Sequence, residues 1–205
     1  MHIGLDFDNT IVSYDALFHK VALEGGWITN DVPVSKVSVR DHLRSMGKES
    51  VWTEMQGYVY GARMDEALAY PQVLDCLYWA RERGIKVSIV SHKTRNPFLG
   101  EQYDLHAAAK HWIDLYLKDA QGPLVQVEQV YFELTKESKV KRIADICCTV
   151  YVDDLPEILN ANGFPVNTHK ILFDPDTHHP EQNLPRACSW GEVHQQLESQ
   201  WVTAA

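Results

Sequence analysis

Long apolar runs are missing from this sequence. No stretch approaches 18 consecutive apolar residues, the length an α-helix needs to cross a bilayer, so no membrane span is expected. The opening MHIGLDFD lacks the basic-then-apolar order of a secretory leader, which makes a cytoplasmic location the expectation. Cysteine is scarce. Four residues stand at 76, 147, 148 and 188 without a CxxC pair, a pattern expected of buried free thiols rather than of disulfides or a redox centre. Basic tracts, internal repeats and low-complexity segments are absent as well. With a formal net charge of -9, the chain offers no overall field to a nucleic-acid backbone or an anionic membrane. A local basic pocket for a small phosphate is still compatible with that balance.

What remains is the composition of a globular protein. Of 205 residues, 45% are hydrophobic and 23% charged, enough for one buried core or for one domain carrying a small insertion. The chain opens into a predicted strand over 2–7 that stops at the turn-forming pair Asp8-Asn9. Residues 13–68 read as helical and irregular, with helices over 14–23, 37–46 and 49–60 closed by Gly25-Gly26, Gly47 and Gly61. Pro71 opens a longer helix that Gly84 ends. From there, strands over 86–90, 129–132, 149–152 and 170–173 alternate with helices over 103–117, 138–146, from 155, and 190–200. Such alternation predicts a mostly parallel sheet covered by helices on both faces. The stretch 13–68 interrupts it as a helical insertion.

Asp6, Asp8, Ser91, Asp153 and Asp154 all fall where a predicted strand ends. Open parallel sheets bind ligands outside the carboxyl ends of their strands, so these residues are expected to meet in one crevice. Crowded carboxylates repel one another unless a cation joins them. Mg²⁺ suits such a cluster, because it takes oxygen ligands and binds through few carboxylates. A carboxylate held against phosphorus can attack it. Asp6 and Asp8 are two apart and project to the same side of an extended segment, so one is placed to attack while the other donates a proton.

The run Asp6-Phe7-Asp8-Asn9-Thr10 resembles the DxDx(T/V) signature of the haloacid dehalogenase-like (HAD) superfamily. Ser91 after 86–90 resembles its second motif, and Asp153-Asp154 after 150–152 its acidic fourth. Two lysines compete for the third: Lys139, preferred because it opens the helix feeding the Asp153 strand, and Lys136. The resemblance covers 1–12 and about 70–175. It implies a Rossmann-like α/β fold with a five-stranded sheet in the order 3-2-1-4-5, a core formed by 1–12 and 69–205, and a helical C1-type cap at 13–68. It also implies a Mg²⁺-dependent phosphatase in which Asp6 is nucleophile and metal ligand. Asp8 is acid, base and metal ligand through its carbonyl. Ser91 and Lys139 hold phosphoryl oxygens, Asp153 binds the metal, and Asp154, Asn9 and Thr10 support the site. The second aspartate favours phosphate transfer over carbon–halogen cleavage, whose leaving group needs no proton.

The expected substrate is a small phosphomonoester, with nucleic acid disfavoured by the net acidity. A phosphotransferase, a nucleic-acid end phosphatase and a non-catalytic phosphate-binding module are the competing readings. His92, Lys93 and Arg95 follow Ser91 and are candidates for binding a second anionic group, or else ordinary solvated loop residues. Trp52, Tyr58 and Tyr60 are expected in the core of the insertion. His178-His179, near Asp174 and Asp176, has poor metal-ligand spacing and reads as a loop.

Overall fold

A computed structural model of the protein describes residues 1–181 and 183–204. In chain order its regular elements are β1 (His2–Leu5), β2 (Val12–Ser13), α1 (Asp15–Glu24), α2 (Lys36–Ser45), α3 (Glu49–Tyr60), β3 (Leu68–Ala69), α4 (Val73–Glu82), β4 (Lys86–His92), α5 (Leu105–Tyr116), β5 (Lys118–Asp119), β6 (Gly122–Pro123), β7 (Val130–Glu133), α6 (Lys136–Asp145), β8 (Val150–Asp153), α7 (Pro156–Leu159), β9 (His169–Phe173), β10 (Arg186–Ala187) and α8 (Trp190–Ala204). They form two compact units. One takes Met1–Ile11, Ala69–His92 and the chain from Leu117 onward; the other takes Val12–Leu68 and Lys93–Tyr116. No helix among the described residues is long and apolar enough to cross a membrane.

The first unit is built on a six-stranded sheet in the order β10-β9-β8-β1-β4-β7. All its pairings are parallel. The five strands read from the alternation stand in the expected order 3-2-1-4-5, and β10 adds a sixth at the edge. That strand has two residues and follows Pro185, too short and too near a strand-breaking residue to show a pattern of its own. β1 and β8 are buried along their whole length, which is why they read as continuous apolar runs rather than alternating ones.

Helices cover both faces of the sheet. On one, α6 begins at a capping box in which Thr135 accepts from the Ser138 N–H, a motif that satisfies the free amides of a helix start. Its Val140 and Ile143 pack with Val90, Tyr151, Ile158, Leu159, Phe164 and Leu172. Each such side chain stabilises the fold by about 1.5–3 kcal/mol when fully buried. α4 buries Val73, Cys76, Leu77 and Ala80.

In the second unit, Phe18 meets Trp52 at 4.9 Å and Tyr60 at 5.6 Å between ring centroids. Trp52 is buried as expected, whereas Tyr58 is exposed. The stretch 93–116 joins this unit through close packing. Gly57 on α3 and Gly61, which caps its C-terminus, face Pro97 and Tyr103, and a Cβ on either glycine would fall 2.7 or 2.5 Å from those side chains. Trp112 Nε1 also donates to the Ala67 carbonyl at 2.9 Å.

Candidate active site

The site lies at the carboxyl ends of β1, β4 and β8, three adjacent strands of the first unit. Asp6 follows β1 directly, and its N–H donates to the Val152 carbonyl at 2.9 Å. That bond carries the β1–β8 pairing one residue past the strand and sets Asp6 beside Asp153. A tight turn follows. Asn9 has φ of 58°, a left-handed conformation that Asn tolerates better than most residues. The Ile11 N–H bonds back to the Phe7 carbonyl at 3.0 Å. Trp190 Nε1 fixes the far side of the turn by donating to the Thr10 carbonyl at 2.9 Å, while the Thr10 hydroxyl reaches Asp6 Oδ2 at 3.5 Å. Asp8 lies half-buried within this turn.

Lys139 is the cation of the site. It is 1% exposed although it is a lysine, and its Nζ stands 2.6 Å from Asp6 Oδ1 and 2.6 Å from Asp153 Oδ2. The first contact is a hydrogen bond. The second is an ion pair between two fully buried groups. Burial on its own would lower the Lys139 pKa; the fields of Asp153 and Asp6 outweigh it and hold the ammonium above its ordinary value. Burial pushes the Asp153 carboxyl up, Lys139 opposes that rise, and the like charge of Asp6 adds to it. Asp153 Oδ1 accepts the Leu155 N–H at 2.9 Å, which aims its other oxygen at the cluster. Lys136, the competing lysine, ion-pairs with Glu157 at the surface instead.

Asp6, Asp153 and Asp154 each offer one carboxylate oxygen, and these oxygens lie within 4.8 Å of one another. Three hard oxygen donors at that spacing, two of them on buried carboxylates, fit a divalent cation. Ser91 is 1% exposed at the end of β4. His92 ends the same strand, half-buried. Lys93 and Arg95 belong to the second unit. Lys93 is buried with its Nζ 4.9 Å from the Tyr60 ring centroid, and Arg95 pairs with Asp104 at 2.9 Å on the surface.

Two residues around this site gave no sequence signal. Trp190 read only as a helix start, and Tyr151 only as a strand residue. His178 and His179 donate their backbone N–H groups to the buried Asp174 at 2.7 and 3.0 Å, so Asp174 serves as the anchor of a loop.

No family model and no curated protein sequence matches the chain. Solved structures do. A HAD family hydrolase from Deinococcus radiodurans R1, with bound phosphate and sodium, aligns at a TM-score of 0.60 and 14% identity over 99% of this chain and 95% of that one. A predicted phosphatase from Clostridium acetobutylicum aligns at 0.58 and 13% over 97% and 98%. A dehalogenase aligns at 0.56 and 12% over 95% and 96%. At such identities the likeness is one of architecture. The chain has the fold of the HAD-superfamily hydrolases, with a helical insertion after the first strand of the sheet.

Proposed function

We propose that the protein is a Mg²⁺-dependent phosphomonoester hydrolase that acts through an aspartyl-phosphate on Asp6. The observation that carries this reading is the buried Asp6–Lys139–Asp153 cluster, with Asp154 beside it at metal-ligand spacing. A Mg²⁺ ion held by Asp6, Asp153, Asp154 and the Asp8 carbonyl would neutralise charge on the phosphoryl oxygens. The Asp6 carboxylate attacks phosphorus as the bond to the leaving oxygen breaks, and Asp8 gives that oxygen its proton. Water then attacks the phosphorylated Asp6, Asp8 takes the proton, and inorganic phosphate leaves. Ser91 and Lys139 hold the phosphoryl oxygens; Asn9 and Thr10 support the turn that carries Asp8.

Fold likeness alone does not separate phosphatase from dehalogenase, since aligned structures bear both descriptions. Asp8 favours the phosphatase, because an alkoxide leaving group needs a proton and a halide does not. We read the core as 1–12 and 69–205 and the insertion at 13–68 as the cap that selects a small soluble phosphomonoester. His92, Lys93 and Arg95 remain the candidates for a second anionic group of that substrate.

The test is a panel of phosphorylated metabolites, one aryl phosphate and one 2-haloacid, assayed with Mg²⁺ and after exhaustive chelation. Phosphate release should need the metal, and Asp6→Asn should abolish it while leaving the fold intact. Undiminished turnover by Asp6→Asn, or release of halide in place of phosphate, defeats the reading. Asp8→Asn should spare the first step for an aryl leaving group far more than for an alkyl one.

A further inference from the structure

The three strands that carry the candidate site are not tied to one another by their ladders alone. The β1–β4 register runs from His2–Lys86 to Leu5–Ile89. Past that point Val90 and Ser91 pair with Tyr131 and Phe132 of β7, on the side away from Asp6. The β1–β4 ladder therefore ends at Ile89, two residues before Ser91.

Tyr151 bridges this gap. It stands on β8 two residues before Asp153, so both side chains leave the same face of the sheet, and it is completely buried. Its ring lies across β1 at Gly4, where a Cβ would fall 2.6 Å from the ring Cδ2. Its hydroxyl donates to the Val90 carbonyl of β4 at 2.5 Å. β1 lies between β8 and β4, so one side chain spans three strands and grips the residue just before Ser91. Lys139 Nζ lies 5.9 Å from the centroid of the same ring, at the outer limit of a cation–π contact. Compared with the two 2.6 Å ion pairs, that contact is minor, and the hydroxyl is the functional end of the residue.

We propose that Tyr151 is a positioning residue, a cross-brace that sets Ser91 at its working distance from Asp6 and Asp153. Its catalytic part rests on the phosphatase reading; its mechanical part does not. A buried hydroxyl–carbonyl bond over a glycine gives the end of β4 a fixed height above β1, which backbone pairing does not supply there.

The substitution Tyr151→Phe keeps the ring and removes the bond to Val90, together with the hydroxyl's interaction with Asp153, so exchange at 89–93 and a Ser91→Ala background are what isolate the brace. The control is Thr168→Val, which deletes another buried hydroxyl–carbonyl bond, from Thr168 to the Cys148 carbonyl at 2.6 Å, just before β8 begins. Two measurements follow. In amide hydrogen exchange, a peptide covering 89–93 should exchange several-fold faster in Tyr151→Phe and at the wild-type rate in Thr168→Val. In steady-state kinetics, kcat of Tyr151→Phe should fall about tenfold with KM within about twofold, as expected for a sub-ångström loss of reacting geometry. Thr168→Val should keep its kcat. The loss should also vanish in a Ser91→Ala background, because a brace that acts through Ser91 has nothing left to position. Unchanged exchange at 89–93 in Tyr151→Phe overturns the brace, as does an equal kcat loss in both variants. A wild-type protein with no phosphatase activity but faster exchange in Tyr151→Phe defeats the phosphatase reading and leaves the brace standing.

Discussion

Replacing Lys139 with methionine is the sharpest probe of the site, because it removes a charge while nearly preserving volume. The side chain is 1% exposed and makes two 2.6 Å contacts to carboxylates that are 4% and 0% exposed. At an effective dielectric near 20, each contact corresponds to about 6 kcal/mol of attraction before desolvation is counted. Desolvating three charges offsets much of that sum, so the pair network as a whole is a weak source of net stability. Breaking it from one side is a different matter. The Lys139→Met protein keeps two buried carboxylates and loses the cation between them, which is expected to cost about 3–5 kcal/mol.

Urea unfolding followed by tryptophan fluorescence measures this directly. The midpoint should drop with little change in slope, because the surface exposed on unfolding is nearly the same. Millimolar Mg²⁺ should stabilise Lys139→Met more than the wild type, since the ion supplies positive charge to the same carboxylates. A loss under 1 kcal/mol would mean that Asp6 or Asp153 is neutral in the folded protein and that the ion-pair reading is wrong. Equal stabilisation of both proteins by Mg²⁺ would remove the carboxylate cluster from the metal site.

Three further outcomes are expected. His2 is buried between the Ile146 carbonyl at 2.9 Å and the Ser88 hydroxyl at 2.8 Å, and burial, aided by the Lys86 charge, lowers its pKa below 6.5. A depressed histidine contributes stability above pH 6.5 that is lost as pH falls through its folded value, so the slope of stability against pH between 7 and 5 should be shallower in His2→Asn; matching slopes refute this. Burial pushes the thiols of Cys76 and Cys148 up to about 12, whereas Cys147 is exposed, so a thiol reagent at pH 8 should modify Cys147 in the native protein and reach the other two only in urea. Gly4→Ala places a Cβ 2.6 Å from both the Cys148 Sγ and the Tyr151 ring, and urea unfolding should show a loss of about 1–3 kcal/mol; an unchanged midpoint means that β1 and β8 yield at no cost.

Much of the sheet was legible because its strands are short, buried and bounded by polar residues at the end where ligands bind. The same pattern singled out Asp6, Asp8, Ser91, Asp153 and Asp154 as candidates, since polar residues that end apolar runs are conspicuous. Lys139 was separable from Lys136 only through helix geometry. Lys139, Val140 and Ile143 form the buried stripe of α6, and Lys136, one turn earlier on the same face, is the first residue of the helix and is exposed. The packing of 93–116 was not legible. A helix over 105–116 follows β4 as a crossover helix would, and what sends it elsewhere is the fit of Pro97 and Tyr103 against Gly57 and Gly61. That contact joins residues some forty positions apart and leaves no periodic trace. The brace at Tyr151 was hidden for a similar reason: an aromatic residue in a buried strand looks the same whether or not its hydroxyl reaches two strands away.

The charges of the cluster favour a divalent over a monovalent ion. Asp6, Asp153 and Asp154 carry three negative charges at metal-ligand spacing, and Lys139 returns one positive charge. The remaining formal charge of minus two would repel a phosphomonoester dianion from the carboxylate proposed to attack it. A divalent ion cancels that remainder, whereas a monovalent ion leaves a net negative site. Lys139 alone cannot perform this task, because its single positive charge is already counted against the three negative ones. The lysine makes two buried carboxylates compatible with a folded protein, and the ion would make the same carboxylates approachable by an anion. On this reasoning phosphate affinity should depend steeply on divalent metal in the wild type. With Asp154→Asn, which removes one negative charge, phosphate binding measured by calorimetry without metal should strengthen even as metal affinity falls. Weaker phosphate binding in that metal-free variant would show that repulsion by the acidic cluster does not govern anion entry.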